Sequence, residues 1–137
     1  MGLILDASIL IEAERETFDL PAFLSAAAEE PVSICAATAC ELLHGVERAL
    51  DPTIRSRRSD TIEGLIRELD VIPFGLAEAR VHARIWAALV MKGEMISAHD
   101  LMVAATALAA GHTVATLNRK EFERVPGLML APVDQFR

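Results

Sequence analysis

Tyrosine is absent, and aromatic residues make up only 4% of the 137 positions. Single-stranded bases would find few rings to stack on, so any nucleic-acid binding must rest on other contacts. The two cysteines, Cys35 and Cys40, have the spacing of neither a zinc knuckle nor a CxxC redox pair. Nothing else points to an oxidising compartment, and both read as buried free thiols. No positively charged segment followed by an apolar run opens the chain, and the longest apolar stretch, Leu101 to Gly111, is too short to span a bilayer. A soluble cytoplasmic protein with no membrane partner is expected. Basic charge is also scarce: 13 Lys and Arg against 20 Asp and Glu leave a net charge of −7. That balance argues against a protein that grips polyphosphate through diffuse positive charge. It fits carboxylates clustered to hold divalent cations, a basic partner that covers an acidic surface, or both.

Apolar residues are plentiful. At 53% hydrophobic and 24% charged, the chain can bury enough surface to offset its ordering entropy, and its length suits a single domain over residues 1–137. Gly2 to Asp6 is a short apolar run closed by an acid, which reads as a buried parallel strand with Asp6 at its carboxyl end. Val32 to Cys35, Asp70 to Phe74 and Thr113 to Thr116 read as further strands, and Leu128 to Leu130 as a possible fifth. Between them the spacing predicts helices over 22–30 with Pro21 at the start, 39–50 capped by Thr38, 51–69, 76–91 and 101–110. Ser97-Ala98-His99-Asp100 has the form of a capping box. The helix it opens is apolar nearly all round and should be central. Strands alternating with helices predict an α/β fold: a central, mostly parallel sheet of four to five strands with helices on both faces.

In such a sheet, functional groups gather beyond the carboxyl ends of the strands. Asp6 and Asn118 fall there, Glu41 lies one turn into the helix after the second strand, and Asp100 lies in the first turn of the central helix. Each alone has an ordinary role: strand-end cap, solvated helix residue, capping partner, turn residue. Together they place three carboxylates and a carboxamide on one rim, where like charges in a partly dry cleft call for a cation. Hard oxygen donors select magnesium or manganese. Metal-assisted phosphodiester hydrolysis is the chemistry such a set supports.

The motifs Leu3-Ile4-Leu5-Asp6-Ala7-Ser8, Glu41-Leu42-Leu43-His44-Gly45, Ile96 to Ala105 with Asp100, and Thr116-Leu117-Asn118-Arg119-Lys120-Glu121-Phe122 continuing to Leu128 together resemble the PIN domain, and within it the VapC-like toxins of type II (VapBC) toxin-antitoxin pairs. The resemblance covers nearly the whole chain and implies a PIN-like fold and a magnesium-dependent ribonuclease, with manganese as an alternative ion. It implies that Asp6, Glu41 and Asp100 bind the metal and activate water. Asn118 matches a fourth site position where many PIN proteins have aspartate; a carboxamide can ligate or position water but cannot act as a base, which puts a second metal site in doubt. Glu121 either substitutes in part or caps the short helix around Phe122, the second being preferred. Ser8 and Thr116 match small hydroxyl residues beside the acids. The family further implies an RNA substrate, a cognate VapB-like antitoxin whose tail covers the acidic site, and a homodimer or toxin-antitoxin hetero-oligomer.

Arg119, Lys120 and Arg124, with Arg55, Arg57 and Arg58, are candidates for contacting RNA phosphates. His44 and His99 adjoin the acids, but the four histidines lack metal-ligand spacing. Trp86 should pack in the core or on a dimer face. Two other classes compete. A phosphohydrolase that forms an aspartyl phosphate also begins with an apolar strand ending in aspartate, but it wants a second acid where Ser8 stands. A PIN fold with a decayed site would bind a protein and cut nothing.

Overall fold

The computed structural model describes residues 2–137. Four short strands, β1 (Leu3–Leu5), β2 (Val32–Cys35), β3 (Asp70–Ile72) and β4 (Thr113–Ala115), form one sheet in the order β3-β2-β1-β4. All three pairings are parallel, so every strand ends on the same rim. The expected fifth strand shrinks to a single bridge between Val114 and Leu130. Two backbone hydrogen bonds on Val114 hold it, and Pro132, which has no N–H to offer a ladder, follows at once.

Among the described residues, seven helices and a terminal 3-10 turn surround the sheet: α1 (Ala7–Glu14), α2 (Leu20–Ala26), α3 (Ala36–Arg48), α4 (Pro52–Glu68), α5 (Leu76–Lys92), α6 (Ala98–Ala110) and α7 (Arg119–Phe122), then Asp134–Phe136. Period-two alternation along β1 divides them into two layers. Leu3 and Leu5 face a core built with Ile9, Phe18, Phe23, Leu42, Val46 and Ile62. Ile4 faces the other way, into Leu89, Val103, Ala104 and Phe122. In the second layer Ala98–Ala110 buries seven of its residues and is the central helix its composition predicts.

Several local expectations need correction. Strand β2 runs straight into α3, with Cys35 as the N-cap; Thr38 is therefore two residues inside the helix, fully buried, with its Oγ1 3.4 Å from Cys35 Sγ. Only Cys35 is a buried thiol. Cys40 is exposed, because the helical period that turns Leu42 and Val46 inward turns residues 40 and 44 outward. Trp86 is 51% exposed on the outer side of α5 and is not a core residue.

Two helices end on a glycine in the left-handed region, Gly93 at φ 66° and Gly111 at φ 69°. Gly45 is different. It lies inside α3, and a Cβ there would meet nothing within 4 Å. The same substitution should act with opposite sign at the two kinds of site. By urea denaturation, Gly111→Ala should cost about 1 kcal/mol, whereas Gly45→Ala should add about 0.5–1 kcal/mol.

Candidate active site

The chain leaves β1 at Asp6, whose backbone N–H is still paired with Ala115 of β4. Asp6 occupies the N-cap position of α1, yet its side chain makes no cap hydrogen bond. It is 4% exposed, and its Oδ2 accepts from the hydroxyls of Ser8 and Thr116, both at 2.8 Å. Each hydroxyl is also an acceptor: Ser8 Oγ takes the Leu117 N–H at 3.0 Å and Thr116 Oγ1 takes the Asn118 N–H at 2.9 Å. The segment leaving β4 is thus fastened to the acid at the end of β1 through two bridging hydroxyls.

Asp100 comes from the first turn of α6. Ser97 caps that helix by accepting the Asp100 N–H at 3.2 Å, but the reciprocal half of the box is missing. The Asp100 carboxylate reaches instead toward β4, where Asn118 Nδ2 donates to it at 2.8 Å. The same amide donates to Glu121 Oε2 at 2.7 Å. Glu121 therefore does not cap α7, as expected from sequence, but joins the acid group. The Asp100 carboxyl, when protonated, can share a hydrogen bond with the Glu121 carboxylate. Burial, that shared hydrogen bond and the nearby charges of Asp6 and Glu121 push the Asp100 carboxyl from 3.8 up to about 7, against a smaller opposing effect of Ser97. The hydrogen bond with Asp100 holds Glu121 below its ordinary value.

Glu41 projects from α3 toward α6 but does not join this group directly. Its Oε2 lies 2.9 Å from His99 Nε2. The ring nitrogen is buried, and the approach is poorly aligned for a hydrogen bond. His99 immediately precedes Asp100, so Glu41 abuts the same rim at one remove. The structure therefore gathers Asp6, Asp100, Asn118 and Glu121, with Ser8 and Thr116 between them, and sets Glu41 beside His99. Glu121 was underrated in sequence because a helix-opening glutamate usually has solvent or backbone for a partner. The signal was its position three residues after Asn118, one helical turn away on the same face.

All the groups that converge here offer oxygen donors, as a hard divalent cation requires. Among the described residues, no three His, Cys, Asp or Glu side chains stand as a ready-made metal cage. The Asn118 amide supplies two N–H groups where a cation would supply charge.

The arrangement has known counterparts. The sequence profile of the PIN domain matches residues 3–128. A Ribonuclease VapC of Rickettsia bellii is 35% identical over 133 residues, 97% of either chain. The chain belongs to the PIN-domain family, in its VapC-like branch. A tRNA(fMet)-specific endonuclease VapC of Salmonella typhimurium is 35% identical over 71% of each chain. Among solved structures, a chain of VapBC2 from Rickettsia felis, bound to a promoter DNA fragment, superposes with a TM-score of 0.85 at 26% identity. It covers 98% of this chain and 100% of its own. A chain of the FitAcB structure from Neisseria gonorrhoeae gives 0.83 at 28% identity, covering 95% and 97%. The four parallel strands and the helices on both faces of this chain are those of the PIN fold.

Two predictions follow from the hydrogen-bonding of this PIN site. Asp100 holds its proton more tightly folded than unfolded, so the folded state binds more protons between the two values and stability must fall as pH rises. Thermal unfolding in chelator should show stability declining from about pH 4.5 to about pH 7, above the range where Glu121 acts in the opposite sense. Asp100→Asn should flatten that slope; an unchanged slope would mean that another group carries it. Thr116→Val removes a donor to a buried carboxylate and the acceptor for Asn118, and should cost about 1–3 kcal/mol in urea denaturation.

Proposed function

We propose that this chain is the toxin of a VapBC-type pair, a metal-dependent endoribonuclease that hydrolyses RNA phosphodiester bonds. The observation that carries the reading is the buried Asp6 and Asp100, brought together with Asn118 and Glu121 on the carboxyl-end rim of a PIN sheet. Full-length similarity to a Ribonuclease VapC supports the same conclusion. The solved VapBC complexes support a VapB-like antitoxin as partner. The site of this acidic chain suits a basic antitoxin tail. A homodimer or toxin-antitoxin hetero-oligomer in the cytoplasm completes the proposal. Among the described residues, no helix is long and apolar enough to cross a membrane.

In this reading Asp6, Glu41 and Asp100 hold magnesium, with manganese able to replace it. When bound, the ion supplies a water of lowered pKa and neutralises charge building on the phosphate. The protein's own groups do the rest. Ser8 and Thr116 fix the Asp6 carboxylate in one orientation, so that its free oxygen is presented without a search among rotamers. Asp100, held near 7 without metal, would give up that proton on binding a cation, so metal binding should strengthen as pH rises. Asn118 is placed to turn its carboxamide oxygen toward a cation or water once Asp100 and Glu121 have other partners. Glu41 must leave His99 to take part.

One observation favours a second reading, a PIN fold that only binds a protein: the Asn118 amide already donates to both Asp100 and Glu121. Cleavage separates the two. Antitoxin-free protein should cut bacterial RNA into discrete fragments in magnesium or manganese and not in chelator. Asp6→Asn and Asp100→Asn should each lower the rate by about a hundredfold or more. Folded protein that cuts nothing in any condition would leave the binding reading standing.

A further inference from the structure

The arginines near the site differ sharply in how free they are. Arg55 is taken by Glu47 at 2.6 Å. Arg119 donates to the Ala131 carbonyl at 2.8 Å and Arg124 to the Met95 carbonyl at 3.1 Å. Arg57 lines a separate shallow hollow with Pro52, Thr53 and Asp60. Three others line one groove of about 310 Å³ that has Glu41 in its wall: Arg15 of the α1 C-cap, Arg48 at the end of α3, and Arg58 of α4. Arg48 has no ion pair or hydrogen-bond partner among the described residues. Arg15 has only Glu12 at 3.7 Å, and Arg58 only the Gly45 carbonyl at 3.4 Å.

We infer that this groove between α1, α3 and α4 is a subsite for the RNA backbone, in which Arg15, Arg48 and Arg58 hold phosphates flanking the one that is cut. The inference rests on the ribonuclease reading above and extends it. Among the lining residues three arginines outnumber two acids, Glu14 and Glu41, in a chain of net charge −7. Leu42, Val46 and Ile62 form its floor but are each at most 7% exposed. Its accessible atoms therefore come mainly from the charged rim, which suits a phosphodiester chain better than apolar peptide side chains. No aromatic residue lines it, so it offers no stacking and no base identity, only positioning. Arg48 is seven residues beyond Glu41 on α3, about 10 Å along the helix. That is too far to touch the scissile phosphate and near enough for its neighbours. Gly45 lies between them and opens the groove, since a Cβ there would meet nothing.

The test measures binding apart from cleavage, by fluorescence anisotropy of a short labelled single-stranded RNA of mixed sequence, in chelator, at several salt concentrations. Arg15→Gln, Arg48→Gln and Arg58→Gln should each weaken binding about fivefold, and the triple variant roughly a hundredfold. The triple variant should lower the salt slope by about 2. Gly45→Leu, which keeps every charge and favours helix, should weaken binding as well, and Arg57→Gln should not. In magnesium the arginine variants should raise KM and leave kcat unchanged. Loss of RNA binding in these variants, without any metal-dependent cleavage by the wild type, would keep the groove and sink the ribonuclease. Wild-type binding in the triple variant, in a protein that does cleave, would overturn the groove. So would RNA binding unchanged but antitoxin binding lost, which would assign the groove to the protein partner.

Discussion

The buried carboxylate at the end of β1 is the constraint on which the rest of the site depends. Asp6 is nearly inaccessible and uses no helix cap to satisfy itself. A carboxylate in such a place must be hydrogen-bonded or pay a large desolvation cost. The chain meets that requirement with two hydroxyls that also accept backbone N–H groups from the segment after β4. One acid thereby sets the path of residues 116–118. That path in turn puts the Asn118 amide within reach of Asp100 and Glu121. Removing the Asp6 side chain altogether would leave the Ser8 and Thr116 hydroxyls without their acceptor, so its effect on structure would spread to the path of residues 116–118.

The parallel sheet explains why so few residues suffice. Every strand delivers its carboxyl end to one rim, so Asp6 and the 116–118 segment arrive together simply because β1 and β4 are neighbours. Asp100 arrives by a different route. Its helix is apolar on nearly all sides and can lie only in the middle of a layer, which fixes its first turn against the rim. Asn118 then joins the two acids. It offers two donors to two acids, at the cost of a negative charge that an aspartate would have brought. The raised Asp100 and lowered Glu121 are the electrostatic sign that the two carboxyls are coupled.

Much of this was legible in the sequence, and the parts that were not have a common cause. Val32–Cys35 and the buried faces of α3 and α5 follow from apolar periodicity, which burial enforces. Gathering Asp6, Asp100 and Asn118 on one rim followed from strand ends and parallel topology. The failures concern partners that sequence spacing does not encode. Thr38 looks like a cap only if a loop separates β2 from α3, and none does. Glu121 looks like a cap only if its neighbour across the site is ignored. Cys40 looked buried by residue type, although the α3 period already placed it outside. Leu128 to Leu130 has strand composition, but an edge that meets a single residue of β4 just before a proline cannot propagate a ladder.

Charge offers the same lesson at larger scale. A net of −7 argues against a nucleic-acid grip built from diffuse basic surface, and in the structure Arg55, Arg119 and Arg124 are committed to carbonyls or acids. Sequence reading picked Arg55, Arg57 and Arg58 together because they are adjacent. Helical geometry separates them, sending each to a different place on or beside α4. Arg15, which no cluster marked, and Arg48, which helical spacing already puts on the Glu41 side of α3, come from other elements to join Arg58. An acidic protein can therefore present a short basic track next to an acidic centre. The contrast limits what it can bind: a polyanion long enough to lie along the track is drawn in, while an isolated phosphate meets mostly carboxylates at the rim.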